Sequence, residues 1–375
     1  EIKVKDYLKE RNIRIKYGCR ACETGIKTAS MPAQLIPKSM ATPGLLSYIA
    51  TSKYVDALPL YRQEQMFKRI GVELSRATLA FWMIQVGKAL APLIVLLEEA
   101  LLSGKVIHMD ETPVQVLNEP DRKAQSQSYM WVRMGGMTDH PFVLFNYDPS
   151  RSSKVPLRLL EGFTGHLMTD GYAGYHAVTK HGITGIGCWA HARRKFKEAE
   201  KVQGKSKGSG KVHLALSEIQ KLYIIERQIA DKPPDEKLAI RQARAGPVLT
   251  KMRRWLDKSR TQVPPKSALG KALGYLDGEW PRLARYVDDG RLPIDNNPCE
   301  NAIRPFVIGR KNWLFSQSQA GVEASAAIYS LIETAKRSGH EPWHYLTHVL
   351  TELPTTKPDD LQDLLPHNIP AITFH

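Results

Sequence analysis

The stretch Lys105–Leu117, KVIHMDETPVQVL, decides the fold that this sequence predicts. Short apolar and polar residues alternate along it, and several of the apolar ones are β-branched, which is typical of a β-strand. Two acids, Asp110 and Glu111, stand in the middle of that strand. An unpaired charge in a protein core costs several kcal/mol or more, so an acid here is paired, protonated or bound to an ion. We interpret this position as part of a metal site.

The composition favours a polyanionic partner. The 375 residues include 53 lysines and arginines against 38 acids, which gives a formal net charge of +15. Because neutralised phosphates release condensed counterions, nucleic acid is the leading partner, and an acidic membrane surface ranks well behind it. The most apolar run, Ala89–Leu102, is shorter than the ~20 residues of a membrane span and carries two glutamates. Four cysteines and no recognisable signal peptide lead us to expect a cytoplasmic protein without a membrane partner.

Residues 1–40 contain a strand-like run followed by the pair Cys19 and Cys22. A CxxC beside a strand resembles one half of a zinc ribbon, which needs a second pair to complete four ligands. The remaining cysteines are single and distant, and the chain begins at Glu1 rather than Met, so we expect any missing half to lie upstream. A half zinc site and two unmetallated cysteines are equally good interpretations, and zinc is expected only with the missing half present.

Residues 41–102 have helical periodicity and form a second predicted region. Within it, Tyr61–Met83 predicts a helix, a glycine turn and a second helix that Ser75 caps, which is the pattern of a helix-turn-helix. Arg76 and Thr78 would be exposed on the second helix and are candidate DNA contacts. An ordinary helical hairpin fits the same pattern equally well.

From residue 103 to residue 200 the pattern alternates between strands and helices. The predicted elements after the opening strand are strands at Tyr129–Met134 and Pro141–Tyr147 with a turn at Thr138-Asp139, a helix at Ser153–Glu161, a strand at His166–Asp170, a helix from Ala173, a strand at Ile183–Cys188 and a basic helix from His191. Three strands followed by alternating helices and strands is the order of a ribonuclease-H-like α/β core. The fold class predicted is therefore a mixed sheet of that type.

Residues 201–290 interrupt this core with helical patterns. One of them is a basic helix that begins at Pro234 and carries Arg241, Arg244, Lys251, Arg253, Arg254 and Lys258. We interpret them as a helical insertion, whose basic residues are either a solvated face or a phosphate-tracking surface. The core resumes over residues 291–340, and residues 341–375 form a C-terminal helix and tail.

The resumed core begins with a strong helix start, DNNPCE, in which Asp or Asn is the N-cap and Pro298 opens the helix. Glu300 falls in the first turn, where the helix dipole stabilises an anion by about 0.3–1 kcal/mol. We expect Pro305 to end or kink this helix, and Phe306–Phe315 to be extended and basic.

Three acids stand out by their context: Asp110 within a strand, Asp170 at a strand end and Glu300 at a helix start. Neighbouring strands can bring the first two together, and a helix packed on the sheet can add the third. Such oxygen ligands suit Mg²⁺ or Mn²⁺, and a pair of these ions activates a water or 3′-hydroxyl on a phosphodiester. Three separated acids alone are a weak signal.

The motifs HMDETPVQVL, LMTDGYAGY, CWAHARRKF, DNNPCENAIRPFVIGRKNWLF and AAIYSLIETAKRSG strengthen that signal. Together with SKYVDALPLYRQEQMF and LQDLLPHN, they span nearly the whole chain and closely resemble the insertion-sequence sixty-six family of bacterial DDE transposases. The resemblance implies that Asp110, Asp170 and Glu300 are the catalytic, metal-binding triad, with two Mg²⁺ or Mn²⁺ ions. It also implies DNA partners (terminal repeats and target), a homo-oligomer in the synaptic complex, accessory proteins of the same element, and a place at the bacterial nucleoid.

Further residues are candidates for DNA contact. His191 belongs to a Cys-two-residues-His element found in several DDE families, and a packed core histidine is an equal alternative. The basic and aromatic candidates are Arg193, Arg194, Arg304, Arg310, Lys311 and Trp313. Two other acids, Glu323 and Glu333, rank below Glu300 because they lie in an ordinary amphipathic helix.

We therefore predict a DNA transposase that cuts element ends and joins the freed 3′-hydroxyl to target DNA. One alternative is a catalytically inactive DNA-binding regulator that uses the helix-turn-helix-like region. Another is a two-carboxylate glycosidase, which leaves the net charge of +15 without a purpose.

Strand alternation separates the opening pair of acids onto opposite faces of the strand. The motif match assigns Asp110 to the site, so Glu111 needs a basic or amide partner on the other face. His108 lies two residues before Asp110 and is expected on the same face, as a core group or a residue that supports a ligand.

Overall fold

The structure is a computed structural model that describes residues 13–18, 25–136, 141–203 and 210–372. Its first elements are two short, exposed strands, β1 (Lys16–Tyr17) and β2 (Lys27–Thr28), which pair antiparallel. Cys19 and Cys22, the predicted half zinc site between those strands, lie outside the described residues. The turn predicted at Thr138-Asp139 lies outside them as well.

Four helices precede the main sheet: α1 (Pro43–Tyr54), α2 (Leu60–Arg69), α3 (Arg76–Ala89) and α4 (Ala91–Leu102). The helical hairpin predicted over Tyr61–Met83 is present as α2 and α3. Ser75 caps α3 as predicted, since its hydroxyl accepts a hydrogen bond from the Thr78 backbone N–H at 3.1 Å. Within the part of the chain that the structure describes, no single helix could span a membrane, and α3 and α4 meet the length and composition for one only together, across a 48° bend.

The central sheet follows. Its elements in chain order are strands β3 (Val106–Asn118), β4 (Gln127–Gly136) and β5 (Pro141–Asp148), helix α5 (Lys154–Leu159), strand β6 (His166–Thr169), a 3₁₀ helix (Ala173–His181), strand β7 (Thr184–Gly187) and helix α6 (Trp189–Gln203). The strands lie in the order β5-β4-β3-β6-β7, in which β3, β4 and β5 are antiparallel while β6 and β7 run parallel to β3. This mixed sheet confirms the predicted ribonuclease-H-like core and puts the long strand β3 at its centre.

The helical insertion packs on the β6–β7 side of the sheet. It consists of α7 (Lys211–Gln228), α8 (Pro234–Ile240), a π-helical turn (Arg241–Ala245), α9 (Gly246–Arg260), α10 (Ala268–Ala284) and a 3₁₀ turn (Arg285–Asp288). Its apolar residues form a second core with Met168, Ile186 and Trp189, separate from the core under β3, β4 and β5. The insertion therefore shares a hydrophobic core with strands β6 and β7.

Several basic residues of the insertion are neutralised inside it. The Arg241 guanidinium is buried, forms an ion pair with Glu226 at 2.6 Å and donates to the Tyr286 carbonyl oxygen at 3.0 Å. Lys251 forms an ion pair with Glu218 at 2.8 Å. The prediction of a phosphate-tracking surface is therefore wrong for Arg241, because its buried side chain links helices within the insertion.

Helix α11 (Asn297–Trp313) is longer than the sequence predicts. It continues through Pro305, so the extended segment predicted for Phe306–Phe315 is wrong as far as Trp313. A proline inside a helix costs about 3 kcal/mol. Phe306 is buried in the core, where its ring lies 5.6 Å from that of Tyr329, and full burial of such a side chain contributes about 1.5–3 kcal/mol. Packing of this and the neighbouring apolar residues therefore outweighs the local proline signal.

The remaining elements are β8 (Ser316–Ser318), α12 (Gln319–Arg337), α13 (Pro342–Glu352) and a 3₁₀ turn (Pro358–Leu364). Strand β8 pairs parallel with the far end of β3. Helix α12 lies along the edge strand β5, where the Thr334 and Ser330 hydroxyls accept from the backbone N–H groups of Val143 (3.0 Å) and Phe145 (2.8 Å). These bonds cover a sheet edge that would otherwise offer unpaired donors to another chain.

Candidate metal centre

Asp110 lies in β3, and Asp170 immediately follows the end of β6, the adjacent parallel strand. The pairing of β3 with β6 ends at His108 and Met168, and the same register continued by two residues would bring Asp110 level with Asp170. Both acids share one face because they have the same parity in this register. Adjacent strands are about 4.8 Å apart, so the two carboxyl groups are neighbours at the end of β6.

Asn296 ties the helix that carries Glu300 to β3. Its side-chain Nδ2 donates to the Met109 carbonyl oxygen at 3.0 Å, which turns Oδ1 toward the His108 Nδ1 at 2.9 Å. Burial lowers the pKa of His108, so a neutral ring donates this bond from Nδ1. Glu300 follows one turn later in α11.

This bonding corrects one detail of the predicted helix start. Asn296 occupies the N-cap position of α11, but among the described residues its side chain bonds β3 rather than the first turn of its own helix. Its own backbone N–H donates to the Cys188 sulfur at 3.2 Å, so Asn296 joins three elements. DNNPCE signals a helix start in the sequence, but not this contact between segments 187 residues apart.

Negative charge concentrates around Asp110. Burial raises the pKa of Asp110 to about 8, and the nearby charges of Glu111, Asp170 and Glu300 add to the increase. The Oε1 of Glu300 is also buried and has no hydrogen-bond partner among the described residues. Carboxylate oxygens are ligands that a divalent cation such as Mg²⁺ prefers, but among the described residues the ligand atoms of the three acids do not all lie within 4.8 Å of one another, so a bound ion would have to draw them together.

Glu111 faces the other side of β3, as strand alternation predicts. Its nearly buried carboxylate forms an ion pair with Arg151 at 2.6 Å and accepts a hydrogen bond from the Tyr175 hydroxyl. The expectation of a basic partner is therefore confirmed. Burial raises the pKa of Glu111, and the bonds from Tyr175 and Arg151 oppose that increase. Sequence reasoning did not identify Arg151 or Tyr175 as partners of Glu111, because both lie far from it in the chain.

A second group of side chains, here called the Cys-His-Glu cluster, consists of Cys188, His191 and Glu300. One potential ligand atom from each lies within 4.8 Å of the others. The His191 Nδ1 is 3.6 Å from the Glu300 Oε1, and Arg194 approaches both, at 3.1 Å from the His191 Nε2 and 3.4 Å from the Glu300 Oε2. Burial lowers the pKa of His191. The Cys-two-residues-His motif at the start of α6 thus lies against the predicted third ligand.

The other predicted DNA contacts are spread over several elements. Arg76 is exposed in the first turn of α3, as predicted, but Thr78 is half-buried there, with its hydroxyl 2.9 Å from that of Ser75, so its predicted exposure is wrong. Arg193 is exposed on α6, and Arg304 and Lys311 are exposed on α11. These positions leave the side chains accessible to a ligand.

Two predicted DNA contacts on α11 have partners within the chain. Arg310 is half-buried and donates to the Thr112 hydroxyl at 3.1 Å, two residues beyond Asp110 on β3. Trp313 has the Lys53 ammonium 3.7 Å from its ring centroid, so one face of the indole is covered. A base could therefore stack only on the other face.

The two lower-ranked acids are placed away from a shared centre. Glu323 is exposed and accepts from Gln319 at 2.8 Å. Glu333 is buried and neutralised by Lys336 (2.8 Å) and Arg337 (3.1 Å) on its own helix.

Comparison with known proteins identifies the family behind this geometry. Residues 38–324 match the family described as Transposase IS66 family, and residues 330–367 match the IS66 C-terminal element. The chain belongs to the IS66 family of transposases. The first match spans all three predicted ligands and the residues of the helical insertion.

Three relatives from Sinorhizobium fredii have a similar sequence over almost all of this IS66 chain. The uncharacterized protein y4jD is 34% identical over 96% of this chain and 72% of its own length. The uncharacterized proteins y4qI and y4hP are 34% and 31% identical, over 95% and 94% of this chain and 67% of each relative.

Proposed function

We propose that this IS66 transposase cleaves DNA at the ends of its element and joins the freed 3′-hydroxyl to target DNA, with Asp110, Asp170 and Glu300 as the residues that hold its metal ions. The single observation that carries the proposal is the parallel β3–β6 pairing, whose last pair, His108 and Met168, lies two residues before Asp110 and Asp170. The bond from Asn296 to β3 supports the third position, because it fastens the start of the Glu300 helix beside Asp110.

The residues present fit Mg²⁺ or Mn²⁺, and the proposed site takes two such ions. When bound, they would polarise the scissile phosphodiester and activate the attacking water or 3′-hydroxyl. The chain's own contribution is to position the oxygen ligands. Burial is the largest cause of the raised pKa of Asp110, and the charges of Glu111, Asp170 and Glu300 add to it.

Positioning of DNA is the second task. Three exposed basic side chains on α6 and α11 are proposed to contact DNA phosphates near the acids: Arg193, Arg304 and Lys311. The exposed Arg76 on α3 is a separate proposed contact, which suits recognition of a terminal repeat away from the cut. Assembly as a homo-oligomer and the use of accessory proteins remain part of the proposal.

Strand cleavage of labelled element-end DNA tests the proposal. Wild type should cut with Mg²⁺ and not with EDTA, whereas Asp110→Asn, Asp170→Asn and Glu300→Gln should each lose at least about a thousandfold in rate while still binding the DNA. Glu323→Gln is the matched control, because it changes an exposed glutamate on α12 and should cut normally.

Binding without cleavage in wild type, over a range of Mg²⁺ and Mn²⁺ concentrations, would favour the inactive regulator instead. Normal cleavage by any of the three acid variants would remove that acid from the proposed site. Thermal unfolding adds a readout without DNA, since Mg²⁺ should raise the melting temperature of wild type but not of Asp110→Asn.

A further inference from the structure

The Cys-His-Glu cluster combines three ligand types that a hard-ion site does not use together. Cys188 contributes a fully buried sulfur, His191 an imidazole nitrogen and Glu300 a carboxylate oxygen, all within 4.8 Å of one another. Thiolate and imidazole ligands favour Zn²⁺ and related ions over Mg²⁺. The set therefore has the chemistry of a different metal from the one proposed for the acids alone.

Two unsatisfied atoms point to a ligand at this place. The His191 Nδ1 and the Glu300 Oε1 are both buried, and neither has a hydrogen-bond partner among the described residues. They face each other at 3.6 Å, beyond hydrogen-bond length. A buried polar atom without a partner costs about 1–3 kcal/mol, so two of them in one cluster call for an explanation.

We infer that Cys188, His191 and Glu300 form a binding site for a thiophilic divalent cation of the Zn²⁺ class, with one position open. Ligand atoms around bound zinc are roughly 3–4 Å apart, since their bonds to the metal are about 2.0–2.3 Å long. Zinc binding would therefore shorten the largest separation between the ligand atoms of the cluster by about 1 Å. Binding replaces the thiol S–H bond with a sulfur–metal bond and releases that one proton to solvent. The Asn296 backbone N–H, 3.2 Å from the sulfur, stabilises the resulting thiolate.

Arg194 controls access to this site. A guanidinium can only donate, so the His191 Nε2 accepts at 3.1 Å and the proton of the neutral ring lies on Nδ1, the atom that faces Glu300. A metal at Nδ1 needs that proton moved to Nε2, where it would meet the Arg194 donor. Arg194 must therefore swing away, which its half-exposed side chain permits. Metal binding and the Arg194 contact exclude each other.

One consequence rests on the proposed function. Glu300 belongs both to this cluster and to the acidic triad, so an ion held by Cys188 and His191 withdraws Glu300 from the Mg²⁺ site. Micromolar Zn²⁺ should then inhibit Mg²⁺-dependent cleavage, and Cys188→Ser should reduce that inhibition when each variant is compared with its own zinc-free rate.

Cobalt spectroscopy tests the site without DNA or cleavage, so its failure is distinct from failure of the proposed function. The protein carries Cys19→Ser and Cys22→Ser to remove the other thiol pair, and it is titrated with Co²⁺ at pH 7.5. We expect one ion per chain with near-ultraviolet thiolate-to-cobalt absorption. Cys188→Ser should abolish that absorption, and His191→Gln should weaken binding at least tenfold.

Two further variants sharpen the test. Arg194→Met should tighten Co²⁺ binding about tenfold, because it removes a positive charge and a competing donor. Asp110→Asn should keep the absorption, since it changes the neighbouring acidic site only. Circular dichroism checks that each variant is folded. If Cys188→Ser does not fold, the weaker Co²⁺ binding expected of His191→Gln becomes the deciding measurement. A folded parent protein without the absorption, or the same absorption in Cys188→Ser, overturns the inference.

Discussion

The side-chain amide of Asn296 donates a 3.0 Å hydrogen bond to the Met109 carbonyl oxygen, between residues 187 positions apart. Met109 immediately precedes Asp110, and Asn296 lies four residues before Glu300. One buried side chain therefore determines how two of the three proposed ligands face each other.

Asn296→Ala should lower the free energy of unfolding by about 2–4 kcal/mol, because it leaves the Met109 carbonyl and the His108 ring without their buried partner. It should also reduce Mg²⁺-dependent cleavage through misplacement of Glu300. Urea denaturation and the cleavage assay check both effects.

Asn297→Ala is the matched control for that change. Asn297 is exposed and its side chain bonds only to Asp295 among the described residues, at 2.9 Å, so its loss should cost less than about 1 kcal/mol. Equal losses from the two variants would contradict the special role of Asn296.

Arg151→Met should destabilise the protein by about 1–2 kcal/mol, because it leaves the Glu111 carboxylate, 3% exposed, without its cation. The arginine is 42% exposed, so water replaces part of the lost interaction. Glu111→Gln combined with Arg151→Met should recover most of the loss, since no buried charge remains. A double-mutant cycle by urea denaturation measures the coupling.

Lys232→Met provides the surface comparison, because Lys232 and Glu236 form an exposed ion pair at 3.1 Å on the insertion. Its effect should stay below about 0.5 kcal/mol. A coupling between Glu111 and Arg151 no larger than this surface value would refute the argument.

Lys53→Met should stabilise the protein in a pH-dependent way. Burial lowers the pKa of Lys53 from 10.5 to about 7, so the unfolded chain binds more protons than the folded one between these values. The contribution of Lys53 to the free energy of unfolding of the wild type therefore rises as the pH increases from about 7 to 10.5. Below pH 7 the full cost of burying the charged ammonium is present. The gain from Lys53→Met should be on the order of 1 kcal/mol below pH 7, after allowance for solvent screening, and should vanish toward pH 10.5.

Urea titrations of both proteins at pH 6, 8 and 10 measure that difference. The Trp313 ring favours a charged Lys53, since a cation 3.7 Å from its centroid is attracted to the ring face. A stability difference that is independent of pH would mean that this attraction cancels the effect of burial.

Arg304→Ala and Lys311→Ala should each weaken DNA binding and reduce the slope of log K against log salt concentration by about 1, as expected for one lost phosphate contact. Arg310→Ala should differ, because Arg310 also bonds Thr112 and should therefore lower the melting temperature. Fluorescence anisotropy with element-end DNA at several salt concentrations measures the slopes. Lys357→Ala is the control and should leave the slope unchanged, since Lys357 is an exposed lysine just before the last 3₁₀ turn.

Local patterns predicted much of this fold. The period-two alternation of β3 and its neighbours gave the correct strands and put Asp110 and Glu111 on opposite faces, because side-chain direction along a strand depends only on the backbone. The helical hairpin with Ser75 as its cap was predictable for the same local reason. The expectation that α11 ends at Pro305 is wrong, because burial of Phe306 and the neighbouring apolar residues together outweighs the cost of the proline.

The contacts that complete the site were beyond such patterns. An asparagine at this position indicates a helix start. Its hydrogen bond to Met109 depends on the packing of α11 against β3, which the local sequence does not reveal. Arg151 and Cys188 likewise gain their roles from neighbours distant in the chain. The sequence did predict that Asp110 and Asp170 belong to neighbouring strands, and β3 and the strand that ends just before Asp170 are adjacent in the sheet.

The position of the insertion has a consequence for biosynthesis. Glu300 follows Asp110 by 190 residues (300 − 110), and most of the second core lies between them. At about 5–20 residues per second, a ribosome makes Glu300 roughly 10–40 s after Asp110. The central sheet can form in that interval, but the proposed cutting centre cannot. If the proposed triad is right, a nascent chain, or one whose translation stops within the insertion, lacks Glu300 and should not cut DNA.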